Sequence, residues 1–437
     1  MMKILIDTFQ FYKKILKYEA KSILPCKTRK SINKKVLVLA PRLPPYVSGG
    51  VYRPISWAKY AAENNWSIDF LTIKTPPPYS EAGMHLKNQI PQSCSIYFIK
   101  RKYLNPSWKV SFRTDGDIIS ALDAIETSLE LYKDKKPSTI IATGPSFDLF
   151  IAGYYLSKIL RVPLILDYRD EWSENPFSFV TLGNSDQFWE NRCLKQASNI
   201  IFTTESMRQH QINVFNIKPT KTCVIFNGWE FSEHVTASEK SVIKPRNNLI
   251  TLMYCGMLTD ATLPKDFLVD LEKTLTSLPD FPINFDFILN IMGGCSKKAK
   301  LQIDEFKYTE KIFLEDFQPR NIAHLKMQSA DALVLFTDRN MERYIPGKLF
   351  DYLASNKPII VHGVYGEAAR IVETLNAGYF IQQGDTDKFI KVIENLTYYN
   401  HECDENAERI DWLKNHTRKE MAKKLFSLLN TVQQTSR

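Results

Sequence analysis

Short apolar runs bounded by charge, proline or glycine recur along the chain. Between them lie segments whose apolar residues fall at helical spacing. Val36-Leu37-Val38-Leu39-Ala40 follows Lys34-Lys35 and stops at Pro41, the pattern of a strand buried on both faces. A loop over 44–50 leads into a predicted helix over 53–64, with Ile55, Ala58, Lys59 and Ala62 at helical spacing, and 68–73 predicts the next strand. Strand, loop, helix and strand in that order make a βαβ unit. The rhythm continues with strands over 139–143, 162–167, 200–203 and 223–226 and a helix over 147–160, and Asn227-Gly228 punctuates the end of this half.

A polar stretch over 232–248, poor in apolar residues, reads as a linker. Strand patterns then restart over 249–256, 285–293, 311–314, 332–336, 358–361 and 378–381, and the tail from 385 is helical. Before the strand at 358–361 stands Arg343-Tyr344-Ile345-Pro346-Gly347-Lys348-Leu349-Phe350-Asp351-Tyr352-Leu353-Ala354. Pro346-Gly347 predicts a helix start, Leu349, Phe350 and Leu353 give it an apolar face, and Asn356 and Pro358 stop it. The fold class that follows is α/β, with two doubly wound domains in tandem. Ligands of such folds bind beyond the carboxyl ends of the strands, here in a cleft between two facing domains. No GxGxxG follows the first strand and no GxxxxGK[ST] occurs, which argues against dinucleotide-binding dehydrogenases and P-loop NTPases.

Length and charge sharpen the picture. The 437 residues suit two domains of roughly 200 residues each. Of the net charge of +9, residues 1–35 carry most, with Asp7 and Glu19 as their only acids. On a helical wheel Lys13, Lys14, Lys17 and Lys21 fall on one side, and Phe9, Phe11, Tyr12, Ile15, Leu16, Tyr18 and Ile23 on the other. A basic amphipathic segment suits an anionic membrane surface, and equally a helix packing its apolar face on the protein. With charge confined to one end and no recognition motif, nucleic acid is not an expected partner. Seven scattered cysteines without a CxxC pair imply neither a zinc site nor a disulfide framework, and suit a reducing, cytoplasmic setting. No apolar run is long enough for a transmembrane helix, and the N-terminus is too charged for a secretory signal.

Four places carry candidate chemistry. A helix opening with Pro346-Gly347-Lys348 brings backbone N–H groups, the positive end of the dipole and an ammonium to one point, an anion site. Asp351 shares a face with Lys348, so one suits a phosphate and the other a ligand hydroxyl, which points to a sugar nucleotide. The plain alternative is a helix cap with solvated side chains. Gly49-Gly50, followed by Arg53, lets main-chain amides approach a ligand, or is an ordinary loop. Asp167-Tyr168-Arg169-Asp170-Glu171-Trp172 packs charge at the end of a buried strand, with Arg169 expected to pair with Asp167 or Asp170; it reads as a functional cluster or a structural ion-pair network. Gly256, ending the first strand of the second half, and Lys265 beyond it could meet a phosphate.

Together these motifs resemble the GT-B glycosyltransferases of the family-4-like group. The resemblance rests on Pro44 to Gly50, on Asp-x-Arg-Asp-x-Trp at Asp167 to Trp172, on Asn227-Gly228, on Tyr-x-Gly at Tyr254 and Gly256, and on the Pro-x-Lys-x-x-acid-Tyr-Leu-Ala segment from Pro346 running to Ile359. It covers roughly 35–415. The first 34 residues lie outside it, as a basic amphipathic extension (1–34); the rest divides into an acceptor-side domain (35–231), a linker (232–248), a nucleotide-sugar domain (249–415) and a C-terminal helix (416–437). The resemblance implies retaining, metal-independent transfer from a nucleotide-diphosphate sugar, with no cofactor beyond that co-substrate, to a glycan or lipid-linked acceptor in surface polysaccharide assembly. Donor contacts would fall to Gly49, Gly50, Arg53, Gly256, Lys265, Glu342, Tyr344, Pro346, Gly347, Lys348 and Asp351. Lys348, Asp170 and Asp167 would serve catalysis, the first by stabilising the leaving diphosphate. The chain departs from the group in two respects: of the usual glutamates separated by seven residues, the second is Asp351, and the first position is Arg343, with Glu342 one residue earlier; and of the basic pair often found in the loop after the Tyr-x-Gly strand, only Lys265 is available. A sugar-nucleotide epimerase and a non-catalytic GT-B binding module are the competing functions.

Overall fold

The computed structural model describes residues 2–23, 29–100, 118–177, 180–230, 249–259, 262, 265–276, 286–318, 320–398 and 407–435. The chain divides into two compact units, Met1–Gly228 with Arg418–Arg437, and Trp229–Thr417. The linker expected over 232–248 lies outside the described residues.

The first unit opens with helix α1 (Met2–Ile23). Its strands are β1 (Lys30–Ser31), β2 (Lys35–Leu39), β3 (Ser67–Thr72), β4 (Ser95–Phe98), β5 (Lys135–Lys136), β6 (Thr139–Gly144), β7 (Leu164–Tyr168), β8 (Asn199–Phe202) and β9 (Thr222–Val224). Interleaved with them are α2 (Tyr52–Ala61), α3 (Glu81–Asn88), α4 (Ile118–Leu131), α5 (Asp148–Leu160), α6 (Asp186–Gln196) and α7 (Glu205–Phe215). Seven strands form one sheet in the order β4-β3-β2-β6-β7-β8-β9, and β1 pairs with β5 apart from it. Every pairing is parallel. Alternate residues Val36, Val38, Phe70, Ile141, Ile165 and Ile201 turn one face of this sheet toward Trp57 of α2. Strand β4, half-exposed at the sheet edge, has only the short run Ile96-Tyr97-Phe98, which the sequence analysis passes over.

The second unit holds β10 (Leu249–Cys255), β11 (Asp286–Met292), β12 (Ile312–Glu315), β13 (Ala332–Phe336), β14 (Ile359–Gly363) and β15 (Gly378–Gln382). Its helices are α8 (Lys265–Thr276), α9 (Lys297–Asp304), α10 (Arg320–Ser329), α11 (Lys348–Ala354), α12 (Glu367–Thr374), α13 (Thr386–Tyr398) and α14 (Ala407–Asn415). The six strands run parallel in the order β12-β11-β10-β13-β14-β15. The period of two divides the side chains between two cores. Leu252, Tyr254, Leu289 and Ile291 pack with Phe267, Leu271 and Phe389 on one face. Met253, Leu333, Leu335 and Val361 pack with Met327, Leu349, Leu353 and Val372 on the other. Strands buried on both faces read as near-continuous apolar runs, and this is the pattern the sequence carries.

After α14 the chain returns to the first unit as α15 (Arg418–Thr435), whose Met421, Leu425, Phe426 and Leu429 join the core beneath Trp57 and Ala58.

Helix α1 turns an inner face to the first unit. Tyr18 is buried, and with Lys14 it donates to Glu126 of α4; Glu19 accepts from the Tyr155 hydroxyl at 2.8 Å and from Arg192. The division expected from the wheel is corrected accordingly. Lys14 faces the protein, whereas Leu16 and Ile23 stand exposed beside the lysines. Among the described residues no helix is long and apolar enough to cross a membrane.

Candidate functional site

In the second unit the carboxyl ends of β10, β11 and β12 meet in a glycine-lined step. Gly256 N–H donates to the Met292 carbonyl at 2.7 Å, and Gly293 N–H to that of Glu315 at 2.9 Å. Gly293 has φ +123°, and a Cβ there would lie 2.8 Å from the Gly256 carbonyl carbon, so only glycine lets the two loops touch. Lys348 lies against this step, its Nζ 3.0 Å from where a Gly256 Cβ would stand. The ammonium sits over the Tyr254 ring, 3.8 Å from its centroid, and donates to the Tyr254 hydroxyl. Tyr254 is itself stacked on Phe336, with centroids 5.0 Å apart. Burial lowers the Lys348 pKa to about 8. A cation held on an aromatic face, with no carboxylate partner in the described geometry, suits an anion that arrives with the ligand.

The helix start is shifted by two residues from the reading above. Helix α11 begins at Lys348 with Gly347 as its N-cap, because the Leu349 and Phe350 N–H groups close tight turns onto the Pro346 and Gly347 carbonyls at 3.0 and 3.3 Å. Asp351, half-buried, lies one turn on from Lys348. Tyr344 is buried, and Glu342 is exposed with its carbonyl accepting from Glu367 N–H at 2.9 Å. Lys265 is exposed at the first position of α8.

In the first unit one of the two pairings expected for Arg169 is not made. Asp167 pairs with Arg53, not Arg169. Arg53 Nη2 lies 2.6 Å from Asp167 Oδ1, its Nε is 3.1 Å from both carboxylate oxygens, and Thr143 Oγ1 donates to Oδ2 at 2.7 Å. Arg53 Nη1 caps the chain end of this half by donating to the Ile225 and Phe226 carbonyls at 3.0 and 2.7 Å. Both charges are buried and satisfied, so this pair braces β7 against α2. Arg169 spends its donors on main-chain carbonyls: Nε on Gly144 at 2.6 Å, Nη1 on Gly50 at 2.6 Å and Nη2 on Pro145 at 3.0 Å. A Cβ on Gly50 would come 2.2 Å from Arg169 Nη1, while one on Gly49 would meet nothing within 4 Å. The guanidinium therefore pins the Gly49-Gly50 turn to the ends of β6 and β7. Asp170 follows at the carboxyl edge of β7, half-buried.

Two groups escaped the sequence reading. Tyr352 is buried beneath α11, and its hydroxyl accepts from Cys255 N–H at 2.7 Å, fastening the lysine-bearing helix to the end of β10. The signal was a tyrosine on an otherwise apolar helix face. Glu190 of α6 is buried and accepts from Ser173 N–H at 2.8 Å and Ser173 Oγ at 2.5 Å. Burial nonetheless lifts its pKa from 4.5 to about 7. Nothing in the local pattern marks it, since the burial comes from tertiary packing. Because the native carboxyl holds its proton to higher pH than the unfolded chain does, the contribution of Glu190 to stability is fully present below pH 4.5 and is lost as pH rises through about 7. Glu190→Gln is expected to remove that slope, gaining up to about 3 kcal/mol over the parent at pH 8 and little near pH 5. Thermal melts of both proteins across this range check it, and parallel Tm curves would refute the linkage.

A glycosyltransferase from Rickettsia africae ESF-5 superposes with a TM-score of 0.61 at 16% identity, covering 92% of this chain and 99% of that one. The lipopolysaccharide outer core galactosyltransferase WaaB, in its apo form, gives 0.61 at 12% identity, over 91% and 99%. Anabaena HepE in complex with UDP-glucose gives 0.53 at 16% identity, over 92% and 98%. The fold is GT-B. At these identities the likeness shows the fold alone. No protein-family model matches the sequence, and no curated protein matches it.

Proposed function

We propose that this GT-B protein is a glycosyltransferase that moves a sugar from a nucleotide-diphosphate donor to an acceptor, with retention at the anomeric carbon. The observation that carries the reading is Lys348, a partly desolvated ammonium held on Tyr254 beside the Gly256–Gly293 step. Support comes from HepE, a protein of the same fold whose structures hold UDP and UDP-glucose. In this reading the diphosphate lies against the glycines, where no side chain obstructs it. Lys348 neutralises the charge that grows on the leaving oxygen, and the transition state at the sugar is oxocarbenium-like. Asp351 takes the ribose hydroxyls, and Lys265, Glu342, Tyr344, Pro346 and Gly347 complete the donor surroundings. In the first unit, Asp170 stands as the acceptor-side carboxylate, while Asp167 serves through Arg53 as a brace. Assembly of a surface glycan on a lipid-linked acceptor is the setting this reading favours.

Thermal-shift measurements with UDP, GDP, ADP and CDP test it, since a ligand that binds only the native state raises its Tm. A shift with one diphosphate names the donor class, and NMR of the product with the matching sugar nucleotide reads the anomeric outcome. No shift at millimolar nucleotide would overturn the reading. The pH dependence is also expected. A diphosphate favours the charged lysine, so affinity is flat below pH 8 and weakens above it, by up to about tenfold per pH unit. Titration calorimetry from pH 7 to 9.5 checks this, and a flat profile would place the diphosphate elsewhere.

A further inference from the structure

We infer that the outer face of α1 is a docking surface for anionic lipid bilayers, a property separate from the nucleotide site. The inner arc of the helix is settled by Lys14, Tyr18 and Glu19, which bond to the first unit. Over residues 13–23 the remaining arc is exposed and has two flanks. Lys13, Lys17 and Lys21 follow one another at a spacing of four and form a basic stripe. Beside it run Leu16 and Ile23, 68% and 76% exposed, with Ala20 between them. Each of the three lysines lacks an acidic partner among the described residues, whereas Lys14, on the inner arc, has Glu126.

The composition of this face chooses the partner. Lysines alone would suit any polyanion, but two large aliphatic side chains held in water beside them gain nothing from a phosphate backbone. At a bilayer surface both flanks are satisfied. The ammonium groups reach lipid phosphates, and Leu16 and Ile23 enter the boundary between headgroup and acyl chain. Attraction to an anionic leaflet is worth about fivefold in binding per lysine near the surface, so the stripe is worth about a hundredfold. That is the strength of a reversible peripheral contact. A membrane-carried acceptor would be concentrated by it, although the contact does not depend on the proposed activity.

The test is co-sedimentation of the full chain with phosphatidylcholine vesicles, with or without about one quarter phosphatidylglycerol. The wild type is expected to bind the anionic vesicles, and to release as salt rises toward about 1 M, where screening is short-ranged. The triple variant Lys13→Gln, Lys17→Gln, Lys21→Gln is expected to bind about a hundredfold more weakly. A control of equal charge loss on the second unit, Lys297→Gln, Lys298→Gln, Lys307→Gln, is expected to bind as wild type does. Leu16→Gln with Ile23→Gln is expected to weaken vesicle binding several-fold at constant charge. All these side chains are exposed, so unchanged thermal melts confirm that the variants fold. Equal loss in the control, or a triple variant that binds undiminished, would overturn the assignment to α1. Binding to a DNA duplex as strong as to vesicles, indifferent to Leu16 and Ile23, would show a polyanion patch instead.

Discussion

Lys348→Met is expected to abolish nucleotide-dependent stabilisation and to lower turnover by about 10²–10³-fold, while leaving the ligand-free protein as stable as before or more so. The two halves of this expectation have one cause. Burial against Tyr254 lowers the Lys348 pKa from 10.5 to about 8, so at pH 7 the native state holds an ammonium in a place that disfavours its charge. The sign follows directly: the unfolded chain binds the proton more tightly, and stability rises as pH climbs from about 8 toward 10.5. Methionine keeps the aliphatic stem on the ring and removes the charge, so it recovers up to about 3 kcal/mol at pH 7, less whatever the ring and hydroxyl already return. In the wild type, a diphosphate at a hundred times its dissociation constant adds about 2.7 kcal/mol, a Tm rise of about 5–10 °C for a unit of this size. The variant should show none of that rise. A variant that melts several degrees lower than wild type, yet still responds to nucleotide, would make Lys348 a structural residue and defeat the proposed role.

The second large effect concerns folding alone. Asp167→Ala leaves the Arg53 guanidinium buried at the end of β7 with half its partners gone. Removing one member of such a pair typically costs about 3–5 kcal/mol, because the remaining charge is uncompensated. The first unit should then melt about 10 °C lower. Replacing both residues together, as Arg53→Met with Asp167→Leu, should recover much of the loss, since no orphan charge remains. A double variant as unstable as the single one would show that the pair holds the fold by geometry and not by charge balance. Neither change touches the second unit, so the nucleotide-induced shift of that unit should survive both.

How much of this was legible in the chain varies with the range of the interactions. Strands such as β2, β10 and β13 announce themselves because both faces of each sheet are covered, and a run of Val, Leu and Ile follows from that burial. Strand β4 was passed over although Ile96, Tyr97 and Phe98 are apolar, since its run is short and only half-buried at the sheet edge. Lys348 and Gly256 were legible as a pair of local motifs, each at the end of its own strand or the start of its own helix. The pairing of Asp167 was not. Its neighbour Arg169 looked like the natural partner, but the parallel sheet places α2 over β7, and Arg53 arrives from far upstream in the sequence. The side chain of Arg169 is thereby released to hold the Gly50 turn. Glu190 was invisible for the same reason: its pKa is set by what covers it, and the cover is tertiary.

The return of α15 to the first unit has a consequence for how the molecule is made. The whole of Trp229–Thr417 is an insertion within the first unit, and its ends meet, with Trp229 bridged to Thr417. A ribosome therefore completes the inserted unit before it delivers the last helix that the earlier one needs. The half that begins first finishes last, and until Met421, Leu425 and Phe426 emerge, the apolar face around Trp57 waits uncovered. For the same reason the inserted unit can be cut out as one continuous gene segment, whereas the first unit can be obtained only by splicing its two pieces across the gap.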